Sequence, residues 1–310
     1  MKAVRYHSYG DSNVLVYEDA ERPVAGAGQV VVQVAGAAFN PVDAAIRAGF
    51  LQQVFPVALP HVPNYDVAGV IAEVGEGVSD WSAGDAVVAF LPMTAPGAAA
   101  EYVAVPAEAL AAAPRTVELA DAAALPSAGL TAWQALFEHA GLRAGQSILV
   151  NGAGGAVGGY AVQLAKQAGA TVTATASARS IGRVRSYRAD QIVDYTVTPL
   201  PQAVAGRQFD VVLNLVPTSA EETAQLADLV ADDGTFVSTT TPGPEDAGRG
   251  VRTVRVFVRS DAAQLAGLVT RVDAGDLLIE VAERRPLTDL ANVHDQAAAG
   301  RLPGKTILTP

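Results

Sequence analysis

The sequence predicts an α/β protein in which a β-rich first segment precedes a parallel-sheet unit of the dinucleotide-binding kind. Three observations carry this. The run ILVNGAGGAVGGYAVQLAKQAGA, Ile148 to Ala170, reads as strand, glycine turn and helix; strand and helix patterns keep alternating beyond Arg183; and residues 1 to about 120 hold short β-branched runs separated by Pro- and Gly-rich connections.

In the glycine unit, Ile148, Leu149 and Val150 suit a buried parallel strand. Glycines then cluster from Gly152 to Gly155, where a tight turn needs a backbone without Cβ. Val157, Ala161, Leu164, Ala165 and Ala168 recur at helical spacing, and Gly169 ends the helix before a second strand, Ala170 to Ala176. Such a helix start offers unpaired N–H groups and the positive end of its dipole to a pyrophosphate, which a side chain in the turn would hold off. The register is GxxGxxG through Gly152, Gly155 and Gly158; in GxGxxG register the last position falls on Val157. A plain strand-to-helix connection is the alternative.

The residues after the second strand bear on the choice of cofactor. An NAD site usually places Asp or Glu there for the ribose 2′-hydroxyl, and an NADP site small polar and basic groups for the phosphate. Here Ser177, Arg179 and Ser180 precede Arg183, and no carboxylate appears before Asp190. The expectation is NADPH, with Ser177, Arg179 and Arg183 near the 2′-phosphate. The alternative is that the arginines only solvate a helix start.

The remaining elements follow in order. Strands are expected at Met1–Tyr6, Val14–Glu18 and Gln29–Ala37. Asn40 is held extended by Pro41, which opens a short helical turn carrying Asp43 and Arg47. The Pro-rich stretch from Pro56 to Pro63 is a loop, followed by strands at Val67–Val74, Ala86–Phe90 and Glu101–Val105 and an alanine-rich link from Pro106 to Pro114. Residues 121–141 predict two helices broken around Pro126. Beyond Arg183, strands are expected at Gln191–Val193, Phe209–Leu215, Gly234–Ser238, Val251–Val258, Ile279–Ala282 and Lys305–Leu308, with helices at Ala220–Val230, Leu265–Ala274 and Thr288–Ala299.

Composition bounds the chemistry. The 310 residues suit about two domains. No apolar run approaches the roughly 20 residues that span a bilayer, and the N-terminus lacks a signal peptide's apolar centre; a soluble, cytoplasmic protein is expected. A net charge of −11 argues against a nucleic-acid surface. With no cysteine, disulfides, thiolate nucleophiles and cysteine zinc sites are all excluded, and His7, His61, His139 and His294 show no paired-ligand spacing. No metal site is expected, and the histidines read as surface or packing residues.

Several motifs, in this order, resemble one family. AAFNPVDAAIRAG, DVAGVIAEVG, GLTAWQAL, the glycine unit, VDYT at Val193–Thr196 and the closing GKTIL are similar to the zinc-free quinone oxidoreductase branch of the medium-chain dehydrogenase/reductase superfamily, over essentially the whole chain. The resemblance implies a GroES-like β-rich domain, completed by the C-terminal segment, beside a Rossmann doubly wound parallel sheet domain, with NADPH and substrate between them. It implies boundaries of 1–122, 123–269 and 270–310. Zinc-binding relatives carry Cys where this chain has Asn40, and His-Glu where it has Tyr65 and Asp66. By the same similarity Asn40 borders the nicotinamide and the substrate carbonyl, and Thr131 contacts the nicotinamide end. Gly155, Ala156 and Val157 supply the pyrophosphate turn. Tyr195 lies beside the 2′-phosphate with Ser177, Arg179 and Ser180, and Val216 and Phe257 near the nicotinamide ring. Tyr65 varies between branches and bears on substrate choice.

Without a metal, a carbonyl is polarised by hydrogen bonds alone. Hydride transfer then needs a good acceptor: a quinone, or the β-carbon of an enone or enoyl group. Asn40 and Tyr65 are the candidates for the developing oxyanion, with the proton from solvent or Tyr65, and Asp43 orients Asn40. Each has a plainer reading: Asn40 and Asp43 as caps, Tyr65 as pocket wall, Asp66 as a local pairing group. A binding protein that senses NADPH with little turnover is the reading from another class. In relatives the Rossmann edge corresponding to Val251–Val258 pairs with its twofold mate, and an alternating apolar strand needs such cover, so the resemblance implies a homodimer.

Overall fold

The β-branched N-terminus folds back on itself, β1 (Lys2–Tyr6) pairing antiparallel with β2 (Leu15–Asp19). The computed structural model describes residues 1–310. Next come β3 (Gln29–Ala38), α1 (Pro41–Arg47, with Pro41 at its first position), β4 (Asp66–Val74), β5 (Ala86–Phe90), β6 (Tyr102–Pro106) and β7 (Leu110–Ala112). The expected alanine-rich link thus contains a strand: Ala111 and Leu110 pair with Val88 and Ala89 of β5. Alanine is a poor strand former, and the partner strand decides the conformation here.

Residues 121–141 follow Pro126 less simply than two helices. A 3₁₀ segment at Leu119–Ala124 stops before α2 (Pro126–Trp133), which runs on into a π-helical segment, Gln134–His139. The expected βαβ unit follows as β8 (Ser147–Asn151), α3 (Ala156–Gln167) and β9 (Thr171–Ala176). Then come α4 (Ile181–Ser186), β10 (Gln191–Asp194), α5 (Leu200–Ala203), β11 (Phe209–Asn214), α6 (Ala220–Asp228), β12 (Val230–Ser238) and β13 (Arg252–Arg255). The last strand is only the centre of the expected Val251–Val258. The chain ends with α7 (Ala262–Asp273), β14 (Glu283–Pro286), α8 (Leu290–Ala298) and β15 (Thr306–Thr309). The strand expected at Ile279–Ala282 therefore begins later, on the charged ERRP. It needs no apolar run because it lies at a sheet edge, pairing with β15 alone.

These elements form two units, Met1–Ser127 with Ser260–Pro310, and Ala128–Arg259. In the first, a seven-stranded sheet runs β14-β15-β3-β4-β5-β7, with β6 also on β3. Its register positions the site. In the antiparallel β3–β4 pair Ala38 faces Asp66, and in the antiparallel β15–β3 pair Ile307 faces Ala38. β4 and β15, two of the neighbours of β3, therefore deliver polar residues to the stretch just beyond Ala38. Tyr6, Phe39, Leu290 and Leu308 are among the buried residues packed beside it.

In the second unit the sheet is wholly parallel, ordered β10-β9-β8-β11-β12-β13. The chain leaves β8 in one direction through β9 and β10 and in the other through β11 to β13, the doubly wound arrangement. Its switch point lies between the carboxyl ends of β8 and β11. Leu149, Phe209, Val212 and Phe236 are buried in its core. Full burial of one such side chain contributes about 1.5–3 kcal/mol.

Candidate active site

At the switch point the two strand ends are joined by side chains. Asn151 Nδ2 donates to Asn214 Oδ1 at 2.9 Å, and Thr175 Oγ1 accepts from Gly152 N at 2.9 Å. The glycines that follow have separate reasons. Gly152 has φ +98°, a left-handed conformation that favours glycine. A Cβ on Gly158 would stand 2.3 Å from Gly152 O, so that glycine is required for packing the helix onto the turn. Gly155 caps α3, and a Cβ there would approach nothing closer than Gly152 O at 3.5 Å. Protein packing does not explain that glycine. An anion seated on the helix start does, and the N–H groups of Ala156 and Val157 lie in the first turn. The cradle fits a nicotinamide dinucleotide.

The surrounding residues suit its adenosine end. Ser177 and Ser180 are joined by Ser177 N donating to Ser180 Oγ at 3.1 Å. Arg179 is exposed and has no protein partner, whereas Arg183 donates to Gly154 O at 3.1 Å and braces the turn. Asp190, the first carboxylate after β9, is held by Lys166 at 2.7 Å and by Val172 N at 2.7 Å. Tyr195 is exposed beyond β10. Val216, beyond β11, lies beside Gly152, since a Cβ on that glycine would meet its Cγ1 at 2.9 Å. Thr131 is buried in α2, and Phe257 is exposed with the Arg255 guanidinium 4.9 Å from its ring centroid. All the expected cofactor residues fall within residues 128–259.

The expected catalytic residues all fall in the other unit. Asn40 is the N-cap residue of α1 and shares a capping box with Asp43. Asp43 reaches back, its Oδ2 accepting from Asn40 N at 2.7 Å. The Asn40 carboxamide turns to the sheet, where Nδ2 donates to Asp66 Oδ2 at 2.8 Å and Oδ1 accepts from Lys305 Nζ at 2.7 Å. Lys305 also approaches Asp66 Oδ2 and Phe39 O, both at 3.4 Å. Ser127 completes the cluster, donating from N to Asp66 Oδ1 at 2.8 Å and from Oγ to Asp66 Oδ2 at 2.6 Å. Asp66 is therefore a pairing group, but not the local one expected: its partners lie 26, 61 and 239 positions away in the chain.

Tyr65 is 1% exposed and makes no hydrogen bond to Asn40. Its hydroxyl is 2.9 Å from His61 Nε2. Burial lowers His61 to about 4, so its ring is neutral, and with the Ala58 backbone accepting from the ring, Nε2 accepts the hydrogen bond of the Tyr65 hydroxyl. Burial also holds the Tyr65 phenol above its ordinary range. Asp43 is the strongest case: burial, reinforced by the Asp66 charge and opposed by the Asn40 N–H, raises it to about 8. At neutral pH it is a neutral acid, and its Oδ1 has no partner. Lys305, Ser127 and His61 escape sequence reasoning as parts of the site; Lys305 appears there only in the closing GKTIL and as the first residue of an expected strand. No three His, Asp or Glu side chains are grouped so as to hold a metal ion.

Comparison with known proteins agrees with both units. Residues 26–115 match the alcohol dehydrogenase GroES-like domain family and residues 187–308 the zinc-binding dehydrogenase family. The chain is 34% identical to a chloroplast envelope quinone oxidoreductase homolog of Arabidopsis thaliana, over 100% of this chain and 98% of that one. It is 42% identical to an NADPH-dependent alkenal/one oxidoreductase of the same plant, over 70% of this chain and 57% of that one. Among solved structures, the quinone oxidoreductase of Coxiella burnetii superposes with a TM-score of 0.89 at 27% identity, covering 100% of this chain and 99% of that one. A mycobacterial protein in complex with NADPH superposes at 0.87 with 25% identity, covering 100% of both chains. With a GroES-like domain, a doubly wound sheet and a full-length relative of this kind, the chain belongs to the quinone oxidoreductase branch of the medium-chain dehydrogenase/reductase superfamily.

Proposed function

We propose that the chain is a zinc-independent, NADPH-dependent oxidoreductase that passes hydride to a quinone or other conjugated carbonyl. The observation that carries the zinc-free part is the Asn40 cluster. The positions where zinc-binding relatives keep Cys and Glu are here an amide and a carboxylate bound to each other, with the Lys305 ammonium 2.7 Å from the amide oxygen. A cation already sits there, and a lysine ammonium has no lone pair to offer a metal. The preference for NADPH is supported by unpartnered Arg179 beside Ser177 and Ser180, and by the engagement of Asp190 elsewhere.

NADPH, when bound, supplies the hydride. The chain's residues bind and orient. Ala156 and Val157 N–H groups hold the pyrophosphate, Thr131, Val216 and Phe257 border the nicotinamide end, and Tyr195 and Arg179 flank the 2′-phosphate. Asn40 donates to the substrate oxygen as charge develops on it, an interaction strongest in the transition state. Asp43 fixes the Asn40 backbone. Tyr65 is the second donor, once its hydroxyl exchanges His61 for the substrate, and otherwise the proton comes from solvent.

A second reading, reduction of an enone or enoyl double bond, is favoured by the 42% identity to the alkenal/one oxidoreductase. Turnover of NADPH with a panel of quinones and of enones that are not quinones decides between them, since the first reading yields hydroquinones and only the second requires loss of the enone double bond. Absence of turnover with both would refute the proposal. The reading includes a homodimer through β13, which pairs with β12 alone and leaves one edge of the sheet open.

A further inference from the structure

Asparagine is ambiguous about its own direction: its oxygen and nitrogen are nearly the same size, and hydrogen-bond partners decide which way the amide faces. The partners of Asn40 are not ambiguous. Lys305 Nζ can only donate, so the atom 2.7 Å from it is the amide oxygen. The Asp66 carboxylate accepts, so the atom 2.8 Å from it is the nitrogen. One Nδ2 hydrogen goes to Asp66; the other has no protein partner, and Asn40 is only half-buried. Lys305 is buried and faces three acceptors, Phe39 O, Asn40 Oδ1 and Asp66 Oδ2, one for each of its protons. It has no proton to direct at a substrate.

We propose that Lys305, from the last strand, is a positioning residue that locks the Asn40 carboxamide so that a single free Nδ2 hydrogen faces the substrate oxygen. The register explains how it arrives. Ile307 faces Ala38 across the antiparallel β15–β3 pair, and continuing that pairing by two residues sets Lys305 opposite Asn40. A flipped amide would present an oxygen to the substrate oxygen and repel it. The inference rests on the proposed role of Asn40 as the oxyanion donor.

The test is a double-mutant cycle on kcat/KM for NADPH and 1,4-benzoquinone, with NADPH affinity followed by fluorescence. N40A should lower kcat/KM by roughly a hundredfold, the usual loss for one oxyanion donor. K305M should lower it about tenfold or more, with NADPH affinity unchanged, and should cost nothing further in the N40A background. An equal loss in both backgrounds would overturn the proposal, because Lys305 would then act independently of Asn40. If K305M fails to fold, the neutral pair D66N/K305M takes its place in the same cycle with the same expectations. A readout free of turnover separates this idea from the reading beneath it. In nitrogen-15-labelled protein the Asn40 side-chain amide pair, identified by its loss in N40A, should move in K305M or D66N/K305M toward the position of a solvent-exposed asparagine. An unmoved pair refutes the lock even if the wild type reduces quinones, whereas a moved pair with no wild-type turnover refutes only the enzyme reading.

Discussion

Replacing Asp43 with Asn should abolish the loss of stability on the alkaline side of the profile. Asp43 is 1% exposed, and burial raises it from 3.8 to about 8. Between those values the folded chain holds a proton that the unfolded chain has released, so stability falls as pH rises, by about 1.4 kcal/mol per pH unit. Two histidines work in the opposite direction. Burial lowers His61 to about 4 and His294 to about 3, so below 6.5 the unfolded chain takes up protons that the folded chain refuses. On the acid side their two protons outweigh the one on Asp43, and stability climbs toward 6.5. From about pH 6.5 to about pH 8.5 Asp43 removes ~2 kcal/mol, while the two histidines, still half-protonated in the unfolded chain at 6.5, return ~1 kcal/mol, so stability drops by ~1 kcal/mol. An asparagine at this position keeps the oxygen for the Asn40 N–H and places an NH2 where the neutral acid has its hydroxyl, but it does not titrate. Urea unfolding followed by tryptophan fluorescence, at about pH 6.5 and about pH 8.5, should show a loss of ~1 kcal/mol in the wild type and a gain of ~1 kcal/mol in D43N, a difference of ~2 kcal/mol. An undiminished loss in D43N would refute the assignment of a buried neutral acid.

Other expectations are simpler to state. R179A should weaken NADPH binding by roughly tenfold or more while leaving NADH unchanged in fluorescence titration, because Arg179 has no other partner to serve. Phe236 is fully buried in the doubly wound unit, and F236A should cost about 3–5 kcal/mol by denaturant unfolding. Gel filtration at micromolar concentration should give twice the 31.7 kDa chain mass, and a monomer mass would refute pairing through β13.

What was legible in the sequence is what neighbouring residues determine. The unit from β8 through α3 to β9 shows in a run of some thirty residues, because apolar period, glycine turn and helix stop are all local signals. The bond from Asp43 to the Asn40 backbone is also local, three residues apart. Lys305 is 265 positions from Asn40, and only the pairing of β15 with β3 brings them together. Strand register depends on partners rather than on composition, so neither residue announces the other. The same cause hides β7 and β14, whose alanines and charges form strands because a neighbour offers its edge. His61 and Tyr65 are four residues apart, but in a Pro-rich loop without helical period, where that spacing carries no meaning.

The central claim is hydride delivery from NADPH to a conjugated carbonyl without zinc. Its most direct test is oxidation of NADPH by 1,4-benzoquinone and by an enone, before and after exhaustive dialysis against a metal chelator, with the metal content of the protein measured in parallel. The account expects turnover with at least one acceptor, unchanged by the chelator, in protein holding no stoichiometric zinc. Turnover that disappears with the chelator and returns with added zinc would contradict it.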